Sequence, residues 1–193
     1  GFKNEHIRAF FASMRRDLHQ CDYADEKDLE AYIYGSAEVI GLLCVQVFLA
    51  EETVSAADRA TIDRGARHLG SAFQKINFLR DLGEDSSTLG RTYFQQAPSG
   101  RIDEATKSAL IAEIRQELAT AALTIDLLPA SARVGVSAAA DIFAELTNRL
   151  AATPATDLAT TRVSVPNHTK AWLAARAVRR RGHSKHAPHP AED

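Results

Sequence analysis

Apolar residues recur every three or four positions along most of this chain, and alternation by two is almost absent. That period predicts helices. A first helix is expected over about residues 5–20. A second begins near Asp25 and Asp28, acidic in its first turns as helix starts prefer, and runs to about residue 50. From Tyr32 onward it is apolar on nearly every face, which predicts a central place in a bundle. Ser55 and Asp58 fit a capping box before a third helix that reaches about residue 85. Residues 90–100 are rich in Gly, Gln and Pro and read as a loop. Further helices are expected over about residues 103–127 and 131–150, bounded by Pro129 and Pro154. Thr161 to Val165 reads as a short extended stretch, and residues 169–179 as a last helix. From Arg180 the chain is basic, rich in His and Pro and without apolar period, so residues 180–193 read as a disordered tail after one domain over residues 1–179. The expected fold is all-α.

Composition adds bounds. A chain of 193 residues that is 45% hydrophobic can bury one sizeable core. A net charge of −2 and no basic recognition helix exclude a dedicated nucleic-acid binder. Cys21 and Cys44 have no CxxC spacing, and Cys44, inside an apolar run, reads as a core residue. Residues 31–50 form the one candidate membrane span. Glu38 near its middle is costly in lipid, so this segment reads as a helix buried in protein, with Glu38 paired to an arginine of another helix.

The chemistry concentrates near the end of the third helix. At about 100° per residue, Gln74, Asn77, Asp81 and Asp85 fall within an arc of roughly 80°, with Leu69, Ala72, Ile76, Leu79 and Gly83 opposite. A polar stripe is usually a solvated face. Asp and Asn are poor mid-helix residues, however, and Phe78 and Leu82 flank the stripe, so it reads better as the wall of a polar-lined cavity. Carboxylates at i and i+4 can share a hard cation. Lys75, Arg80 and Arg91 lie close by to neutralise a phosphate group.

Gln74, Asn77, Arg80, Asp81 and Asp85, followed by Gly90, Arg91 and Tyr93, resemble the second aspartate-rich region of the squalene/phytoene synthase family, Q-x-x-N-x-x-R-D-x-x-x-D and then G-R-x-Y. The run from Tyr32 to Gly41 resembles its central helix. Met14 to Leu18 resembles its M-x-x-D-L segment, and Thr161 to Pro166 its carboxy-terminal end in bacterial-type phytoene synthases. The resemblance implies an isoprenoid (terpenoid) synthase-like helical bundle, incomplete at the amino terminus. It implies head-to-head condensation of two geranylgeranyl diphosphates to phytoene through a cyclopropyl diphosphate. The alternative is a squalene-type synthase that uses farnesyl diphosphate, and only that case would call for NADPH. A third alternative is a non-catalytic relative acting as an assembly factor.

By the same resemblance, Asn77, Asp81 and Asp85 hold Mg²⁺, or Mn²⁺ in its place. Gln74, Arg80, Arg91 and Tyr93 bind diphosphate, and Tyr34 faces the reacting carbons. Phe143 belongs to the same set, at a position where many members carry Tyr. The family's first aspartate-rich motif has no counterpart in this sequence: Asp17, Asp22, Asp25 and Asp28 form no matching DxxxD pair. The chain alone is therefore expected to be inactive. The implied partners are prenyl diphosphates, with peripheral membrane contact and no nucleic acid. The expected form is a monomer or weak dimer in the cytoplasm or at its membrane face.

Overall fold

The computed structural model describes residues 2–18, 23, 25–83 and 101–183. All regular structure among them is helical: α1 (Asn4–Arg16), α2 (Glu26–Phe48), α3 (Ala56–Arg80), α4 (Glu104–Ile125), α5 (Ala130–Ala152), the short α6 (Ala155–Leu158) and α7 (Asn167–His183). The starts follow local chemistry. The side chains of Asp25, Ser55 and Asp103 accept hydrogen bonds from the backbone N–H groups of Asp28, Asp58 and Thr106. The stretch after α6 is irregular and forms no strand, and α7 carries the helix to His183, past the expected start of a tail. Residues 184–193 lie outside the described residues, as does the expected loop over residues 90–100.

Among the described residues the central helix is α3, not α2. Ala72, Ile76 and Leu79 of α3 are fully buried, and α3 lies between α2 and α4. On α2, Val39, Leu42 and Val45 are buried, whereas Ile40, Cys44 and Val47 are exposed. Cys44 is thus an exposed free thiol and not a core residue. By length and composition α2 is long and apolar enough to cross a membrane. Here it packs on α3, and Arg67 of α3 holds Glu38 at 2.6 Å, the inter-helix ion pair expected for that carboxylate.

A π-helical turn, Tyr34–Glu38, interrupts α2. There Gly35 lies so close to α1 that a Cβ would sit 2.6 Å from the Ala9 carbonyl. Glycines also let α2 and α3 touch through their backbones. A Cβ on Gly41 would lie 2.5 Å from the Ala66 carbonyl, and one on Gly70 would lie 2.6 Å from that of Ala37. Beside α1, Asp17 and Asp28 are engaged in structure. Tyr32 donates to Asp17 at 2.8 Å, and Arg16 pairs with Asp28 at 2.6 Å.

Candidate functional site

Two openings flank α3. The first is an apolar cavity of about 340 Å³ between α2, α3, α4 and α5. Ile40, Cys44 and Phe48 of α2 line it, with Ile62, Leu69 and Phe73 of α3 and Leu128 beyond α4. Leu69, expected on the packed face of α3, therefore faces this cavity. The second is a polar groove of about 980 Å³ on the other side of α3.

Beyond the cavity the last turn of α3 is polar. Phe73 lines the cavity, and Asn77 follows it one turn later on the same side of the helix. The Asn77 side-chain carbonyl oxygen is buried and has no hydrogen-bond partner among the described residues. A buried amide oxygen without a partner is costly, about 1–3 kcal/mol, and its natural remedy is a donor or cation from outside. Gln74 is half-buried beside it.

The helix ends at Arg80, and Asp81 is its C-cap, its N–H donating to the Asn77 carbonyl at 2.9 Å. The expected helix to residue 85 is thus interrupted at Asp81; Leu82 and Gly83 are again helical, and residues 84 and 85 lie outside the described residues. Gly83 passes so close to Ala159 that a Cβ would meet that residue's carbonyl oxygen at 2.2 Å, which fixes the chain's exit from α3. The flanking Phe78 and Leu82 are both buried.

Two guanidinium groups hold the Asp81 carboxylate. Arg80 and Arg162 each approach its Oδ1 through Nε at 3.0 Å, and Arg80 Nη2 also contacts Oδ2. Arg162 comes from the irregular segment between α6 and α7 and is largely exposed. Sequence reasoning did not single it out as a site residue, although it stands inside the matched Thr161–Pro166 motif. An arginine opposite an acidic stripe was the signal available. Guanidinium groups of this kind are also the side chains that pair with phosphate oxygens.

Phe143 lies next to this region but touches it through an aromatic partner. Its ring stacks on Phe73 at 3.8 Å between centroids and 18° between planes. Phe73 is a second residue that sequence reasoning passed over. Tyr34 is placed differently: it lines the polar groove, with the Arg67 guanidinium 5.5 Å from its ring centre. The structure therefore brings Gln74, Asn77, Arg80 and Asp81 together, sets Phe143 beside them, and puts Tyr34 at the other opening. Asp85, Arg91 and Tyr93 lie outside the described residues. Among the described residues no three of His, Cys, Asp and Glu converge as a metal cluster.

The groove's chemistry is a charge network. Lys75 reaches Glu113 at 2.6 Å and Glu117 at 2.8 Å, and Ser71 donates to Glu117 at 2.8 Å. Burial pushes the Lys75 ammonium down, but hydrogen bonds and charge from Glu113 and Glu117 outweigh it and hold the pKa above its ordinary value.

A helical bundle with an apolar cavity along α3 and, at the end of the same helix, amides, a carboxylate and arginines suits a terpenoid-synthase type of protein. Comparison with known proteins agrees. The family described as Squalene/phytoene synthase matches residues 1–169, and the chain belongs to that family, whose members are prenyltransferases. It is similar to the bifunctional lycopene cyclase/phytoene synthase of Blakeslea trispora, 32% identical over 147 residues, which cover 67% of this chain and 24% of that protein. It is 37% identical over 86 residues to the 15-cis-phytoene synthase of Enterobacter agglomerans, covering 45% of this chain and 26% of that one. The fold matches squalene synthase HpnC from Alicyclobacillus acidocaldarius with a TM-score of 0.54 at 17% identity, over 94% of this chain and 61% of that chain. The chain thus spans about a quarter of the length of these curated relatives.

Proposed function

We propose that this chain supplies the second carboxylate wall of a head-to-head prenyl synthase that joins two geranylgeranyl diphosphates to phytoene. One observation carries the reading: the buried, partnerless oxygen of Asn77 stands beside Asp81, one turn from the wall of an apolar cavity. Asn77 and Asp81 fit as ligands of Mg²⁺, with Asp85 completing the set by its position in the motif. When bound, Mg²⁺ neutralises diphosphate so that it can leave. Gln74, Arg80 and Arg162 bind the diphosphate oxygens, with Arg91 and Tyr93 following in the motif. The apolar cavity takes a prenyl tail and keeps water from the allylic cation. The Phe73–Phe143 pair offers an aromatic face where tail and head group meet. Tyr34, across α3, serves the second reactant.

Asp17 and Asp28 are committed to Tyr32 and Arg16, so neither substitutes for the family's first aspartate motif. The 193 residues therefore bind diphosphate but do not turn it over alone. A second reading is a non-catalytic relative. The ion pairs that Arg80 and Arg162 make with Asp81 favour it.

The test is product analysis by mass spectrometry on a chimera that places the amino-terminal part of the Enterobacter agglomerans phytoene synthase ahead of Gly1, with Mg²⁺ and either diphosphate. Phytoene from geranylgeranyl diphosphate supports the proposal. Squalene or its precursors from farnesyl diphosphate would replace the substrate. Consumption of neither favours the non-catalytic relative.

A further inference from the structure

The apolar cavity has a direction. Phe73, Leu69, Ala66 and Ile62 line it in steps of three or four residues, so it follows α3 from the polar turn back toward the helix start. Gly41 lies against Ala66 and Gly70 against Ala37, so α2 runs antiparallel to α3. Cys44, Val45 and Phe48 therefore stand level with residues 62–66. At that level a small hydrophobic cluster, separate from the main core, forms the cavity floor. Val45, Ile62 and Leu128 are its buried members there, and Phe48 packs against them.

We infer that Phe48, Ile62 and Leu128 form the floor that selects a geranylgeranyl tail over shorter and longer ones. The inference rests on the prenyl diphosphate reading of the site and adds the residues that choose within that class. Lengths carry it. At about 1.5 Å per residue, the helix rises about 22 Å from Asn77 to Ile62. An extended chain advances about 1.2 Å per bond, so a geranylgeranyl tail of about 16 bonds spans about 19 Å and a farnesyl tail of about 12 bonds spans about 14 Å. With its head group at Asn77, the longer tail ends against the floor. The shorter one stops near Leu69, before the level of Cys44. One isoprene unit too few leaves apolar wall uncovered, and one too many must push into packed side chains.

Cys44 is an exposed free thiol beside this floor, so its reaction with a maleimide reports how deep a tail reaches. The experiment uses Cys21→Ser protein with farnesyl, geranylgeranyl and geranylfarnesyl diphosphates plus Mg²⁺, and with the three matching alcohols. Calorimetry gives affinities and labelling gives depth. Geranylgeranyl compounds should bind about tenfold more tightly than farnesyl or geranylfarnesyl ones, and they should slow Cys44 labelling about tenfold where farnesyl compounds leave it nearly unchanged. Phe48→Ala deepens the cavity and should bring geranylfarnesyl binding up to the geranylgeranyl level. Cys44→Phe, at an exposed position, shortens it and should turn the preference to farnesyl. Circular dichroism checks that both variants fold. The alcohols separate the floor from the head-group site. Alcohols ranked by length, beside diphosphates that bind without regard to Mg²⁺, would uphold the floor and sink the head-group reading. Mg²⁺-dependent binding with equal Cys44 labelling under all three tails, or with a ranking that neither variant alters, would overturn the floor and leave that reading standing. Binding of no prenyl compound would overturn both.

Discussion

On the proposed reading, Asn77 exchanges stability for binding. Its partnerless oxygen costs the folded protein about 1–3 kcal/mol, so Asn77→Leu, of similar size, should raise the melting temperature. The same change should abolish Mg²⁺-dependent diphosphate binding, and thermal denaturation read beside calorimetry checks both signs. A lower melting temperature would mean that the oxygen is satisfied in solution. Arg162→Gln makes a complementary case. It removes one of the two cations on Asp81 from a largely exposed side chain, so stability should change by less than about 1 kcal/mol while diphosphate affinity falls about tenfold. The placement of Gln74, Asn77 and Asp81 together was legible where motif and helix period agreed. Arg162 was not, because its approach to Asp81 depends on a fold-back after α6 that no local period encodes. Tyr34 was assigned by motif alone, and one sequence cannot say which side of α3 it faces across a π turn.

The elements were mostly legible because their caps are local. Asp25, Ser55 and Asp103 announce helix starts, and each does cap one. The rank of the helices was misjudged. The uninterrupted apolar run of α2 suggested the centre, yet part of that apolar surface lines a cavity instead of a core, and hydrophobicity alone does not separate the two. The glycines make a sharper statement about packing. Gly70→Ala should destabilise the protein by about 1–3 kcal/mol because the Ala37 carbonyl cannot yield, despite the roughly 1 kcal/mol that alanine gains in a helix. Gly135 of α5 has nothing within 4 Å of a built Cβ, so Gly135→Ala should stabilise by about 0.5–1 kcal/mol. Urea denaturation of the pair tests whether close backbone approach sets the α2–α3 geometry.

The tie between α3 and α4 has a pH signature. Lys75 has a folded pKa raised above its ordinary value of 10.5. The stabilisation it brings is therefore complete below that value and is lost as pH rises through the folded pKa. Stability followed by circular dichroism should decline in alkali above about pH 10.5. Lys75→Met should cost about 2 kcal/mol at neutral pH by stranding Glu117, and should flatten that alkaline decline.

At the scale of the whole molecule, the account joins an apolar cavity to a polar helix end and reads the pair as a place for a prenyl diphosphate. The proposal assigns head-group recognition to Gln74, Asn77, Arg80 and Asp81. The direct test is isothermal calorimetry of this protein with geranylgeranyl diphosphate, with and without Mg²⁺, beside Asn77→Ala and Asp81→Ala. The account predicts binding that requires Mg²⁺ and weakens about tenfold or more in each variant. Absence of binding, binding indifferent to Mg²⁺, or binding unchanged in both variants would contradict it.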